Sequence, residues 1–210
     1  MASKSAETLI PRHPTAQRLL EAAIRSLDAE GEAGLRVDAV VTEAGVTIPV
    51  LYHHFGSREG LVRAAHVARI TRTLDQIVLG VEEALRDVED REGFVRVMEW
   101  ILDSVGAPSN DRFIRLNVLG ATYGRPDLQE EVARLQRELW VRVAQMFEEP
   151  QQKGWIRPDL DLVVYVGWMF GVFLGRTLVD IQGDTVDSTA WDRYTREAMF
   201  AVLFGQAPPD

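Results

Sequence analysis

The sequence predicts an all-α fold: an N-terminal three-helix unit with a helix-turn-helix, joined by a long helix to a larger helical part. Three observations predict it. Apolar residues recur at helical spacing in nearly every segment. The breaks between segments carry Gly and Pro, the usual punctuation of helices. No alternating apolar run bounded by turns reads as a strand.

The first helix is expected over 15–30, where Ala16, Leu19, Leu20, Ala23, Ile24 and Leu27 make one apolar stripe. Thr15, after Pro14, is its expected N-cap, and Gly31 its stop. A short second helix follows from Val37 to Ala44, with Gly45 as its stop, and a third from about Thr47 to His54. Gly56 breaks the third, and Ser57 caps a long fourth helix that keeps its rhythm from Leu61 to about Arg86. Further helices are expected at about 91–105, 110–123, 127–152, 159–182 and 187–204. Pro150 lies near the end of its helix, where it can stop or kink it. Residues 1–10 and 206–210 are expected to be disordered. The division that follows is a flexible arm (1–14), a helix-turn-helix domain (15–56) and a C-terminal helical domain (57–206).

Composition narrows the function. With 46% hydrophobic and 26% charged residues, the 210-residue chain is an ordinary globular protein able to bury a core. It has no cysteine, which rules out disulfides, thiol nucleophiles and thiolate metal sites and fits a reducing cytoplasm. Residues 1–8 lack the apolar core of a signal peptide. The apolar run 160–181 is interrupted by Asp161, Arg176 and Asp180, so a buried helix is expected there and not a membrane span. The net charge of −9 at first argues against a polyanionic partner, but the excess acid lies almost wholly beyond residue 66. A local basic face can still bind DNA, because attraction to phosphate is screened over roughly 8–10 Å.

The chemistry that stands out is at 46–58. A short helix, a glycine turn and a capped second helix present that helix's first residues to a major groove. Thr47 is the N-cap, and its hydroxyl can cap the helix or meet a phosphate. Ile48 and Pro49 fill the first turn, where a missing N–H is harmless. Val50 lies on the exposed side, Leu51 and Phe55 point to the core, and Tyr52 and His53 face outward. Arg58 adds a positive charge at the start of the next helix.

The run AGVTIPVLYHHFGSREGL, residues 44–61, resembles the tetracycline-repressor (TetR) family. That family's pattern is Ala-Gly-Val-Ser/Thr, three variable residues, an aliphatic, Tyr, a variable residue, His/Tyr-Phe, then Ser-Lys/Arg-Glu and Leu. The likeness reaches back through the first helix and covers about a third of the chain. It implies that Thr47, Tyr52 and Arg58 contact phosphates and that Ile48, Pro49, Val50 and His53 face the groove. The chain departs from the family in two places. Arg36 stands where the second helix usually opens with a capping threonine; it can meet a phosphate but cannot cap. The reading helix also lacks side chains for bidentate base pairing, so Ile48, Pro49 and Val50 are left to touch thymine methyls, with His53 and DNA shape sharing the readout. Lys4, Arg12 and His13 of the arm are candidates for further phosphate or minor-groove contacts.

Other signals are weaker. His53 and His54 are neighbours on a helix, about 100° apart, and do not chelate one ion. His54 is expected against the helix scaffold and His66 at the surface or an interface. No phosphate loop, HExxH or nucleophile elbow is present, so no catalysis, metal or cofactor is expected. Trp100, Phe113, Leu116, Trp140, Phe147, Trp168 and Phe173 recur at helical spacings, as a core or as the walls of an apolar cavity. Arg115, Asn117 and Tyr123 are candidate polar contacts there. The resemblance implies an effector pocket in this region, for a largely apolar small molecule. It also implies a four-helix dimer interface between twin chains facing a palindromic operator. Candidates for that interface are Tyr165, Gly167, Gly171, Val172, Gly175, Arg176, Trp191, Tyr194, Ala198 and Val202. The function expected is that of a ligand-responsive transcription repressor on double-stranded DNA, the alternative being a small-molecule binding protein with a weak or vestigial DNA-binding head.

Overall fold

A computed structural model describes residues 13–106 and 110–205. Lys4 and Arg12 and residues 107–109 and 206–210 lie outside them. Every regular element among the described residues is helical. In order they are α1 (Pro14–Gly34), α2 (Val37–Ala44), α3 (Ile48–Phe55), α4 (Arg58–Leu85), α5 (Arg91–Gly106), α6 (Asn110–Ala121), α7 (Pro126–Gln152), α8 (Leu162–Gly175), the short α9 (Thr177–Asp180) and α10 (Ser188–Phe204).

Two helix ends differ from expectation, for local reasons. The N-cap of α1 is His13, not Thr15; its Nδ1 accepts from the Thr15 N–H at 3.2 Å, and Pro14 takes the first helical position. Gly31 does not end α1. It adopts φ 68°, which glycine tolerates, and kinks the helix, which resumes to Gly34. Elsewhere the punctuation acts as read. Gly45 closes α2 in the left-handed conformation, its N–H and that of Val46 returning to the last carbonyls. Ser57 Oγ accepts from the Gly60 N–H at 3.0 Å to cap α4. Helix α7 runs through Pro150 and ends two residues later.

The chain divides into two compact units. The first contains residues up to Arg72 together with Val118–Leu135; the second contains Thr73–Asn117 and the chain from Gln136 onward. Helix α4 therefore contributes to both. In the first unit, Leu19, Leu20, Ala23, Leu27, Leu35, Val40, Leu51, Leu61 and Ala65 form one apolar core. Residues 65–71 are buried on every side of α4, which corrects the surface placement expected for His66: it is 1% exposed. A helix buried all round loses the single-stripe pattern from which exposure is read.

The core of the second unit is aromatic. Phe94 packs edge-on against Phe147 and Phe204, with ring centroids 5.7 and 6.3 Å apart. The stretch Leu162–Asp180 is long and apolar enough to cross a membrane, but half of it is buried within the chain. Arg176 in this stretch is itself buried, paired with Asp180 at 2.7 Å and with Asp192 at 2.8 Å. These are the properties of a core helix.

Candidate nucleic-acid interface

The reading head is built by anchoring α3 through one residue. Leu51 is completely buried beneath it, while Thr47, Ile48, Pro49, Tyr52 and His53 are exposed and Val50 is half-buried. This periodicity puts the first turn and one flank of α3 in solvent. Thr47 occupies the N-cap with extended backbone, yet its hydroxyl makes no capping bond. That leaves it available to an outside acceptor such as a phosphate oxygen. Arg36 stands exposed at the N-cap of α2, likewise without a side-chain cap.

The turn after α3 is equally constrained. Gly56 has φ 75°, and its N–H returns to the Tyr52 carbonyl at 2.8 Å. A Cβ at Gly60 would collide with the Phe55 carbonyl oxygen, so only glycine lets α4 start this close to α3. His54 sits among aromatic neighbours, its ring 5.1 Å from that of His13 and 5.3 Å from that of His53. Burial, with these two imidazoles beside it, holds the His54 pKa below its ordinary value.

Arg58 has a structural employment that sequence reading missed. Its Nη2 donates to the Glu32 carbonyl at 2.7 Å and to the Leu35 carbonyl at 3.2 Å. It thereby satisfies orphan carbonyls where α1 ends. Arg18 does the same for α2, its Nε donating to the Ala44 carbonyl at 3.2 Å. Neither pairing has a sequence signal, since the partners lie 26 residues apart in both cases. The Glu32 side chain is in turn held by Arg125, at the turn before α7, and lies 3.3 Å from buried His66. Arg125 is the main reason the Glu32 carboxyl titrates below its ordinary value.

This geometry is that of a helix-turn-helix, and the family model "Bacterial regulatory proteins, tetR family" matches residues 19–65, which contain it. Residues 19–65 carry a TetR-type helix-turn-helix, and the comparisons support a DNA-binding transcriptional regulator. Similarity extends beyond the head. The HTH-type transcriptional regulator UidR of Escherichia coli K12 is 22% identical over 90% of this chain and 88% of its own length. The HTH-type transcriptional activator FasR of Mycolicibacterium smegmatis is 34% identical over 41% of this chain and 38% of its own. In fold, a TetR-family regulator from Cytophaga hutchinsonii superposes with a TM-score of 0.66 at 14% identity, covering 92% of this chain and 95% of that one. These relatives are transcriptional regulators and not enzymes, and the alternative of a binding protein with a vestigial head is not favoured.

The remaining candidates separate in the structure. Trp100, Arg115 and Phe173 line one cavity in the second unit. Phe147 is fully buried in the aromatic core, and the Trp140 ring lies 3.1 Å from where a Cβ on Gly167 would stand. Phe113, Leu116, Asn117 and Trp168 are exposed, and Tyr123 is 94% exposed. Among the dimer candidates, Tyr165 and Arg176 are turned into their own chain, and burial pushes the Tyr165 phenol up. Gly167 packs on Trp140 and Gly175 near Trp191, whereas Gly171, Tyr194 and Ala198 are exposed and Val172, Trp191 and Val202 half-buried.

Proposed function

We propose that the chain is a cytoplasmic homodimeric repressor that grips operator phosphates with Thr47, Tyr52, Arg36 and Arg58 and reads bases with Ile48, Pro49, Val50 and His53. The observation that carries this reading is the exposed first turn of α3, fixed from below by Leu51 and opened by a Thr47 hydroxyl not spent on capping. Arg58 serves in two ways in this account, holding the end of α1 while adding positive charge beside the groove.

The dimer forms through α8, α9 and α10. Val164, Trp168, Gly171 and Leu178 follow one another at helical spacing and are all exposed, as are Tyr194 and Ala198 of α10. A contiguous apolar face of this kind is unusual on a monomer. A two-fold dimer places two reading heads on a palindromic operator. A small, largely apolar effector in the second unit favours a different setting of α4, which belongs to both units, and so releases DNA. The coupling requires unequal effector affinity for the two states.

Anisotropy titration against the DNA upstream of the chain's own gene tests the reading. A preferred segment bound more tightly than scrambled DNA at matched salt is the expected result. Equal, salt-sensitive binding to both would overturn it.

A further inference from the structure

The cavity of the second unit has a volume of about 290 Å³ and is walled by α4, α5, α6 and α8. Ile77, Val81, Trp100, Ile101 and Phe173 supply its apolar surface. Two arginines also line it, and they are not equivalent. Arg112 is neutralised by Asp180, to which its Nε and Nη2 donate at 3.0 and 2.7 Å. Arg115 is 7% exposed and makes no hydrogen bond or ion pair with any described residue. Its guanidinium lies over the Phe170 ring at 4.8 Å, a contact that favours a cation but satisfies none of its N–H donors. Asp111, one turn earlier on α6, lines the rim of the same cavity, and its charge favours the charged form of Arg115. Burial pulls the Arg115 pKa down to about 10, so it stays charged at neutral pH.

The Arg115 donors are not bonded to any described residue and open only to the cavity, and a charge held in so apolar a wall is best met there by an anion. The planar fork of donors suits a carboxylate, and the apolar walls suit a hydrocarbon body. We propose that this cavity binds a small organic carboxylate, its two oxygens accepting from Arg115 and its apolar body packed against Ile77, Val81, Trp100, Ile101 and Phe173. The consequence for DNA rests on the effector reading above; the binding itself does not.

The test is calorimetric titration of the full chain with phenylpropionate and octanoate, each beside its neutral amide and its cationic amine of equal length. The carboxylates are expected to bind about tenfold or more tighter than the amides, and the amines more weakly still. Arg115→Gln should abolish the difference, and Arg115→Lys should keep part of it. Thermal melts report whether the variants fold, and the wild-type comparison stands without them. The proposal is overturned if no carboxylate binds, if amide or amine binds as well, or if the preference survives Arg115→Gln. Repeating the titration in the anisotropy assay separates the two ideas. Carboxylate binding through Arg115 that leaves DNA affinity unchanged removes the effector reading and keeps the site. A neutral or cationic compound that binds the cavity in preference and changes DNA affinity does the reverse.

Discussion

The Arg58 guanidinium holds the Glu32 backbone carbonyl at 2.7 Å, while the Glu32 carboxylate is itself gripped by Arg125. One residue near the end of α1 thus ties together the start of α4 and the turn before α7, all within the first unit. Arg58→Met removes the bonds to both carbonyls and is expected to cost about 2 kcal/mol of stability, read from urea unfolding. An unchanged unfolding midpoint would show that water replaces the clamp at no cost.

Phosphate grip and base reading are separable by substitution. Thr47→Val and Tyr52→Phe should each weaken binding to every DNA sequence by a similar factor, because phosphates carry no base identity. Arg36→Gln should in addition flatten the salt dependence by about one unit of slope. A loss confined to some operator variants would reassign these residues to base contacts.

Much of this head was legible in the sequence because its signals are local. Gly45 and Gly56 act within their own turns, and Leu51 alternates with exposed neighbours inside two helical turns. The Arg18 and Arg58 clamps were not legible, since each joins a side chain to a carbonyl chosen by tertiary packing. Thr15 looked like a cap because hydroxyls usually are; the imidazole of His13 took the position instead. His66 was misplaced because α4 is covered on all sides there. In the second unit the aromatic residues were visible but not their division between core and cavity, which depends on how α4, α5, α6 and α8 pack.

His66 gives the first unit a pH dependence. Burial lowers its pKa below 6.5, and this exceeds the raising effect of Glu32; Arg69 and Arg125 push the same way as burial. As pH falls past 6.5, the unfolded chain takes up the proton first, so stability declines down to the lowered folded value and is complete above 6.5. His54, also held low, adds a decline of the same sign. Urea midpoints across this range should fall for the wild type and fall less for His66→Gln. Parallel curves would remove His66 as the cause.

The exposed face of α8 and α9 makes a prediction about assembly. Val164 and Leu178 are 66% and 64% exposed. Val164→Glu with Leu178→Glu should give a folded monomer by light scattering, with operator affinity reduced as bivalent binding is lost. A dimer that persists would place the interface elsewhere.

The central claim is that α3 reads a specific, two-fold symmetric DNA sequence, and selection from randomised duplexes measures it most directly. The account predicts enrichment of an inverted repeat whose half-sites lie about one helical turn apart, with the preference changed by substituting Ile48 or Val50. Recovery of no common sequence, or of one unaffected by those substitutions, would contradict it.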